Sequence, residues 1–210
     1  MIHEIISVGM LQCNCSIFGD ETTGEAIVVD PGDDITSIVE ILDRRKLKVK
    51  SIVITHAHID HLGGAAKLKA LTGAPVHMNA KDQVLYDNLE MQAGWLGMAT
   101  PDKTDIDTEA RDGDKLKLGN ADFHIIHTPG HTQGSISIWI PTENTLVAGD
   151  TLFRDSIGRT DLPGGDGKQI LRSISQKLLP LPEDAVVIAG HGQNTTIGRE
   201  KKRNPFLRGL

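Results

Sequence analysis

Residues 56–61 read His-Ala-His-Ile-Asp-His, which places three imidazoles and one carboxylate within six positions. Neutral imidazole and carboxylate are the donors that zinc, iron and manganese accept. A loop this short does not readily wrap four donors around one ion. The hexapeptide therefore reads as two half-sets directed at neighbouring ions. Each half-set needs completion from elsewhere in the chain, and His131, Asp150 and His191 are the residues placed to supply it. Asp150, with two carboxylate oxygens, is the natural bridge.

Those residues need rigid elements to bring them together. Ser51–Thr55 (SIVIT) runs into His56, and Phe123–Gly130 (FHIIHTPG) runs into His131. Thr145–Asp150 (TLVAGD) ends on its carboxylate, and Ala185–Gly190 (AVVIAG) runs into His191. Four separate apolar segments thus deliver a His or Asp at or just past their C-terminal ends. Strands hold side chains rigidly while the loops at their ends open to solvent, which is how a site is assembled from distant sequence.

The remaining pattern alternates strands and helices. Strands are expected at Ala26–Asp30, closed by Pro31-Gly32, at Val49–Thr55, Phe123–His127, Ser135–Ile140, Thr145–Asp150 and Val186–Ala189. The apolar spacing of Ile35, Ile38, Val39, Ile41 and Leu42 predicts a helix over Asp34–Lys46. A second helix follows Gly63-Gly64 and stops at Gly73, a third lies around Val84–Gly94, and a fourth covers Lys168–Leu179 before Pro180 and Pro182. His56–His61 and Thr100–Gly113 read as loops. The class is α/β or α+β, with helices covering sheets.

Bulk composition agrees with one soluble domain over residues 1–210. Aromatics make up only 3%, so the core must rest on Ile, Leu, Val and Ala. Twenty-two basic against 28 acidic residues leave a formal charge of -6, which gives no support to a nucleic-acid partner. No apolar run reaches the roughly 20 residues of a membrane span, and Met1–Met10 has no basic, apolar leader pattern. Cys13 and Cys15 are too few and too close for a disulfide framework, so a cytoplasmic location is expected. No G-x-S-x-G occurs, and no side-chain nucleophile is required.

Taken together, Thr55–His61 (THAHIDH), His127–Thr132 (HTPGHT), Gly149–Phe153 (GDTLF) and Ala189–Gly192 (AGHG) resemble the metallo-β-lactamase superfamily. Leu11-Gln12-x-Asn14-Cys15, Ser156–Asp161 and Thr195–Phe206 are similar to its short, single-domain glyoxalase II-like hydrolases. The resemblance implies an αββα four-layer sandwich with a two-metal site, most readily of zinc, with iron and manganese as alternatives. It assigns His56, His58 and His131 to one ion and Asp60, His61 and His191 to the other, with Asp150 touching both. Asp30 would support the metal loop without binding metal. The implied chemistry is hydrolysis of a small thioester such as S-lactoylglutathione. A bound water whose pKa is lowered to about 7 supplies the hydroxide, and Asp60 helps to orient it.

Departures from that pattern concern the substrate. Glyoxalase II enzymes carry tyrosines against glutathione, one after the basic residue of the post-Asp loop and one just after the last His. Here Asp161 and Gly192-Gln193-Asn194 offer none, and the only tyrosine is Tyr86. Arg159 fills the basic position, as a substrate-carboxylate anchor or as a loop brace. Persulfide dioxygenases share a similar Gly158–Asp161 loop and would use one iron on residues matching His56, His131 and Asp150, so they stand as the alternative activity. A lactonase or phosphodiesterase on the same site is a third. His127 reads as a structural hydrogen bonder, while His3, His77 and His124 receive no role. Cys13 and Cys15 read as buried inert thiols, and Lys201-Lys202-Arg203 as a solvated helix end.

Overall fold

The computed structural model describes residues 1–209. Two compact units divide the chain: Met1–Glu109 with Leu118–Asn120, and Ala110–Lys117 with Ala121 onward.

The first unit contains, in order, β1 (Ile2–Val8), β2 (Cys13–Asp20), β3 (Glu25–Val29), α1 (Ile35–Arg45), β4 (Lys48–Val53), α2 (Ile59–Leu62), α3 (Ala65–Thr72), β5 (Val76–Met78), α4 (Gln83–Asp87), α5 (Leu89–Leu96) and β6 (Thr108–Glu109). The strands form one sheet in sequential order, antiparallel through β1, β2 and β3 and parallel from β3 to β6. Cys15 and Ile17 of β2, Val28 of β3 and Ile52 of β4 pack with Ile38 and Leu42 of α1, Leu68 of α3 and Leu89 of α5. Phe18, Ile27 and Val29, on the opposite face, are buried as well. β2 is thus buried on both faces, including its polar Asn14 and Ser16.

The helix expected around Val84–Gly94 is two pieces, because Asn88 leaves helical geometry at φ -102° and ψ 30°. The loop expected at His56–His61 turns helical from Ile59, with His61 N and Leu62 N both donating to His58 O. Within Thr100–Gly113, the pair Thr108–Glu109 adds to the sheet edge beside β5.

The second unit carries β7 (Lys115–Leu118, all but its last residue), β8 (Ala121–His127), β9 (Ile136–Ile140), β10 (Thr145–Gly149), β11 (Leu152–Phe153), β12 (Ser156–Ile157), α6 (Gly167–Ser173), β13 (Val186–Ala189), β14 (Thr195–Thr196) and α7 (Ile197–Arg203). Its sheet runs β14-β13-β10-β9-β8-β7, with β10 and β13 parallel, and β11 and β12 form a separate hairpin. Leu146 and Ala148 of β10, Val187 of β13, Ile170 of α6 and Ile197 of α7 share one core. Asp166 caps α6 by accepting from Lys168 N and Gln169 N at 2.8 and 2.9 Å. From Ile174 to Leu178 that helix widens into a π-turn, so the expected Lys168–Leu179 helix is present in two geometries. Lys201–Arg203 form the last turn of α7, where Lys202 pairs with Glu183 at 3.1 Å, and all three are exposed, as the solvated reading requires.

His3 stacks on its cross-strand partner Phe18 at 4.0 Å. Burial lowers its pKa to about 4, against a small opposing pull from Glu4. In the unfolded chain His3 protonates near 6.5, so the folded state loses stability as pH falls from about 6.5 toward 4. Replacing His3 by Gln should flatten that part of the stability profile. Urea melts of both proteins between pH 7 and pH 4 read this directly, and parallel profiles would refute it.

Candidate functional site

In the first unit, the His-rich loop is shaped by the residues just past the end of β4. Thr55 N and Thr55 Oγ1 both donate to the buried carboxylate of Asp30, at 2.7 and 2.6 Å. Asp30 adopts a left-handed φ of 54° just after β3. The same carboxylate accepts from His61 Nδ1 at 2.8 Å. That bond fixes the tautomer of His61 and frees its Nε2 for a metal, the usual second layer of a metal-bound imidazole. His61 Nε2 lies 3.6 Å from Asp60 Oδ2. The ring of His56 sits 4.8 Å from that of His58 and 4.0 Å from that of His61. All four loop donors are therefore gathered within this unit.

Two buried side chains from later in the chain hold the loop backbone. Asp82 accepts from Ala57 N at 3.0 Å, and Gln92 spans the turn by accepting from Ile59 N and donating to Ala57 O, each at 3.0 Å. Sequence reasoning missed both, since nothing in their local pattern separates them from ordinary polar residues of a helical region. Gly32 is required by close approach, because a Cβ there would lie 1.6 Å from Asp60 O.

The second unit presents its three donors in the same manner. His131 Nδ1 donates to Arg159 O at 2.8 Å, leaving Nε2 3.6 Å from Asp150 Oδ2. His191 Nε2 approaches the same oxygen at 3.8 Å. The turn carrying His131 is clamped from α6. Ser173 Oγ donates to Pro129 O at 2.7 Å, and a Cβ on Gly130 would strike Ile170 N at 2.2 Å. Beneath it, the buried hydroxyls of Thr128, Ser137 and Thr151 bond to one another at 3.0 and 3.1 Å. Gly158 matches Gly32 in role, with its Cβ position only 1.9 Å from Asp150 O.

These spacings fit metal ligation. Separations of 3.6 to 3.8 Å between ring nitrogen and carboxylate oxygen are long for hydrogen bonds. They are near the edge of a coordination tetrahedron, about 3.4 Å for bonds of 2.0–2.1 Å. In both His61 and His131 the far ring nitrogen is already committed to a structural acceptor.

The other candidates make the following contacts. His127 Nε2 donates to Gln133 O at 2.9 Å, and its backbone N–H donates to Asp112 at 2.7 Å. Arg159, an exposed side chain, makes a bidentate pair with Asp161 at 2.8 and 2.7 Å, and its backbone carbonyl holds His131; both the anchor and the brace reading of its guanidinium stay open to it. Cys13 Sγ lies 3.4 Å from His61 Nδ1, on the side already used by Asp30. Burial raises the Cys13 thiol to about 11 and pushes Cys15 well above its ordinary value, so both stay protonated thiols.

The sequence profile of the metallo-beta-lactamase superfamily matches residues 8–191, and the chain belongs to that superfamily. Among its relatives, the hydroxyacylglutathione hydrolase GloC of Haemophilus influenzae is 41% identical over 206 residues, covering 97% of each chain. Of solved structures, the B3 metallo-beta-lactamase BLEG-1 superposes with a TM-score of 0.92 at 37% identity, covering 99% of this chain and 100% of that one. TTHA1623, solved in a di-iron-bound form, superposes at 0.89 with 35% identity over 97% and 100% of the two chains. The expected fold class and family resemblance are thereby borne out, and the reading as a metal-binding hydrolase stands at that level. Among the described residues no helix is long and apolar enough to cross a membrane.

Proposed function

We propose that this chain is a glyoxalase II-like thioester hydrolase working with two divalent metal ions. The observation that carries the proposal is the preset imidazole pair: Asp30 and the Arg159 carbonyl hold His61 and His131 so that each offers Nε2 beside a carboxylate. In this reading His56, His58 and His131 hold one ion, Asp60, His61 and His191 hold the other, and Asp150 serves both. In the same reading residues 1–210 act as one hydrolase domain. Zinc is the first choice of metal, and the di-iron form of TTHA1623 supports iron as the second.

When bound, such a pair lowers the pKa of water to about 7 and polarises a carbonyl. The chain's own residues then do the positioning. Asp60, 16% exposed, orients the attacking oxygen through its carboxylate. Asp30 and Arg159 O keep the imidazoles from rotating, and Asp82 and Gln92 keep the loop backbone from opening. The leaving thiolate needs little proton assistance, since a thiol has a pKa near 8.5. Kinship with GloC supports a small thioester as substrate. Two free, buried cysteines suit the reducing cytoplasm, which is the proposed location.

Purified protein should release thiol from S-lactoylglutathione, lose that activity on treatment with EDTA and recover it with zinc, iron or manganese. Oxygen uptake on glutathione persulfide without thioester cleavage would instead favour the mononuclear iron dioxygenase. Turnover of a lactone, β-lactam or phosphodiester alone would move the assignment to another hydrolase.

A further inference from the structure

His191 lines a cleft of about 360 Å³ within the second unit, together with Phe153, Arg154, Ser156, Ile157 and Gln193. Arg154 sits in the turn of the β11–β12 hairpin, and its Nη1 donates to the side-chain oxygen of Gln193. That partner is a neutral amide; the adjacent Asp155 carboxylate feels the Arg154 charge but makes its ion pair with Arg199. The neighbouring cation differs: Arg159 is paired bidentately with the Asp161 carboxylate. Arg154 is therefore the available positive charge beside His191.

The hairpin that carries it is firmly tied. Asp155, at a left-handed φ of 59°, accepts from both terminal nitrogens of Arg199 at 2.7 and 2.8 Å. Asp155 N donates at 2.9 Å to Glu200, a fully buried carboxylate that also accepts from Arg199, Thr195 and Asn204. Arg154 itself is exposed, so this anchoring serves its placement and not its burial. Gln193, two positions after His191, lines the same cleft as Arg154.

We propose that Arg154, held by Gln193, is a specificity residue that binds a carboxylate on the thiol portion of the substrate, so that this enzyme prefers thioesters with an anionic handle. The inference rests on the thioester-hydrolase reading. A guanidinium grips a carboxylate through two parallel N–H donors, and Phe153 and Ile157 supply an apolar wall beside it. Lysine at this position would keep the charge and lose the fork.

The test compares wild type with Arg154→Gln and Arg154→Lys. One readout is turnover of S-lactoylglutathione and of its diethyl ester. The other is calorimetric binding of S-methylglutathione to the metal-loaded protein. For Arg154→Gln we expect KM for S-lactoylglutathione, and Kd for S-methylglutathione, to rise about 10–100-fold, with little change for the ester. Arg154→Lys should recover part of the loss. Equal handling of acid and ester by wild type, or unchanged KM and Kd in Arg154→Gln, would overturn the proposal. If wild type cleaves neither thioester yet binds S-methylglutathione through Arg154, the hydrolase reading fails while the anion site stands.

Discussion

Replacing His58 by Ala should lower kcat/KM for S-lactoylglutathione by more than about 10³-fold, beyond the 10–100-fold typical of losing a group behind a ligand. The loss should appear with little effect on folding. His58 contributes to α2 through its backbone carbonyl, which accepts from His61 N and Leu62 N, and alanine keeps that carbonyl. The side chain is only half-buried, in contrast to His56 at 1% and His61 at 0% exposure. A thermal midpoint within about 2–4 °C of wild type, a shift of about 1 kcal/mol at this size, is expected. Full turnover by His58→Ala in metal-free buffer would end the metallo-hydrolase account, and a collapsed melting transition would show that His58 carries structure instead.

The second large effect belongs to a glycine. Gly158→Ala forces a methyl group to within 1.9 Å of Asp150 O and 3.2 Å of His131 Cβ. Backbone must give way by about 1 Å, and a misplacement of that size costs on the order of 10²-fold in rate. The accompanying strain should cost roughly 1–3 kcal/mol of stability. Gly94→Ala is the matched control. Gly94 lies in the exposed middle of α5 with nothing within 4 Å of its Cβ position, so alanine should be neutral or stabilise by up to about 1 kcal/mol. Kinetics and urea melts of both variants separate the two cases. Equal activity in both would show that close packing of the Gly158 loop on Asp150 has no catalytic consequence.

Legibility in the sequence divides along a physical line. β10 and β13 are readable as short runs of β-branched or aliphatic residues that end at a glycine, and β4 and β8 through their apolar cores Ile52-Val53-Ile54 and Phe123–Ile126; just past these segments fall His56, His131, Asp150 and His191. Donor identity comes from residue chemistry, which needs no geometry. The helical turn at Ile59–Leu62 is not readable, since four residues are too few to show a period. The break at Asn88 interrupts an apolar pattern that continues across it, so only backbone geometry reveals it.

Groups that orient the donors are the least accessible. Asp82 and Gln92 reach the loop from 25 to 35 positions away, and such contacts leave no local trace. Asp30 is found through family resemblance, while its triple acceptance from Thr55 N, Thr55 Oγ1 and His61 Nδ1 requires coordinates. Arg154 is invisible for a related reason. Its hairpin has two-residue strands, and its significance depends on Arg159 being paired with Asp161 while Arg154 bonds a neutral amide.

The most direct test of a two-metal site is the metal content of untagged protein, measured by elemental analysis beside its thioester turnover. About two divalent ions per chain, falling together with activity when His58 or His191 is replaced by Ala, is the predicted result. About one iron per chain, with oxygen uptake on a persulfide and no thioester cleavage, would contradict it.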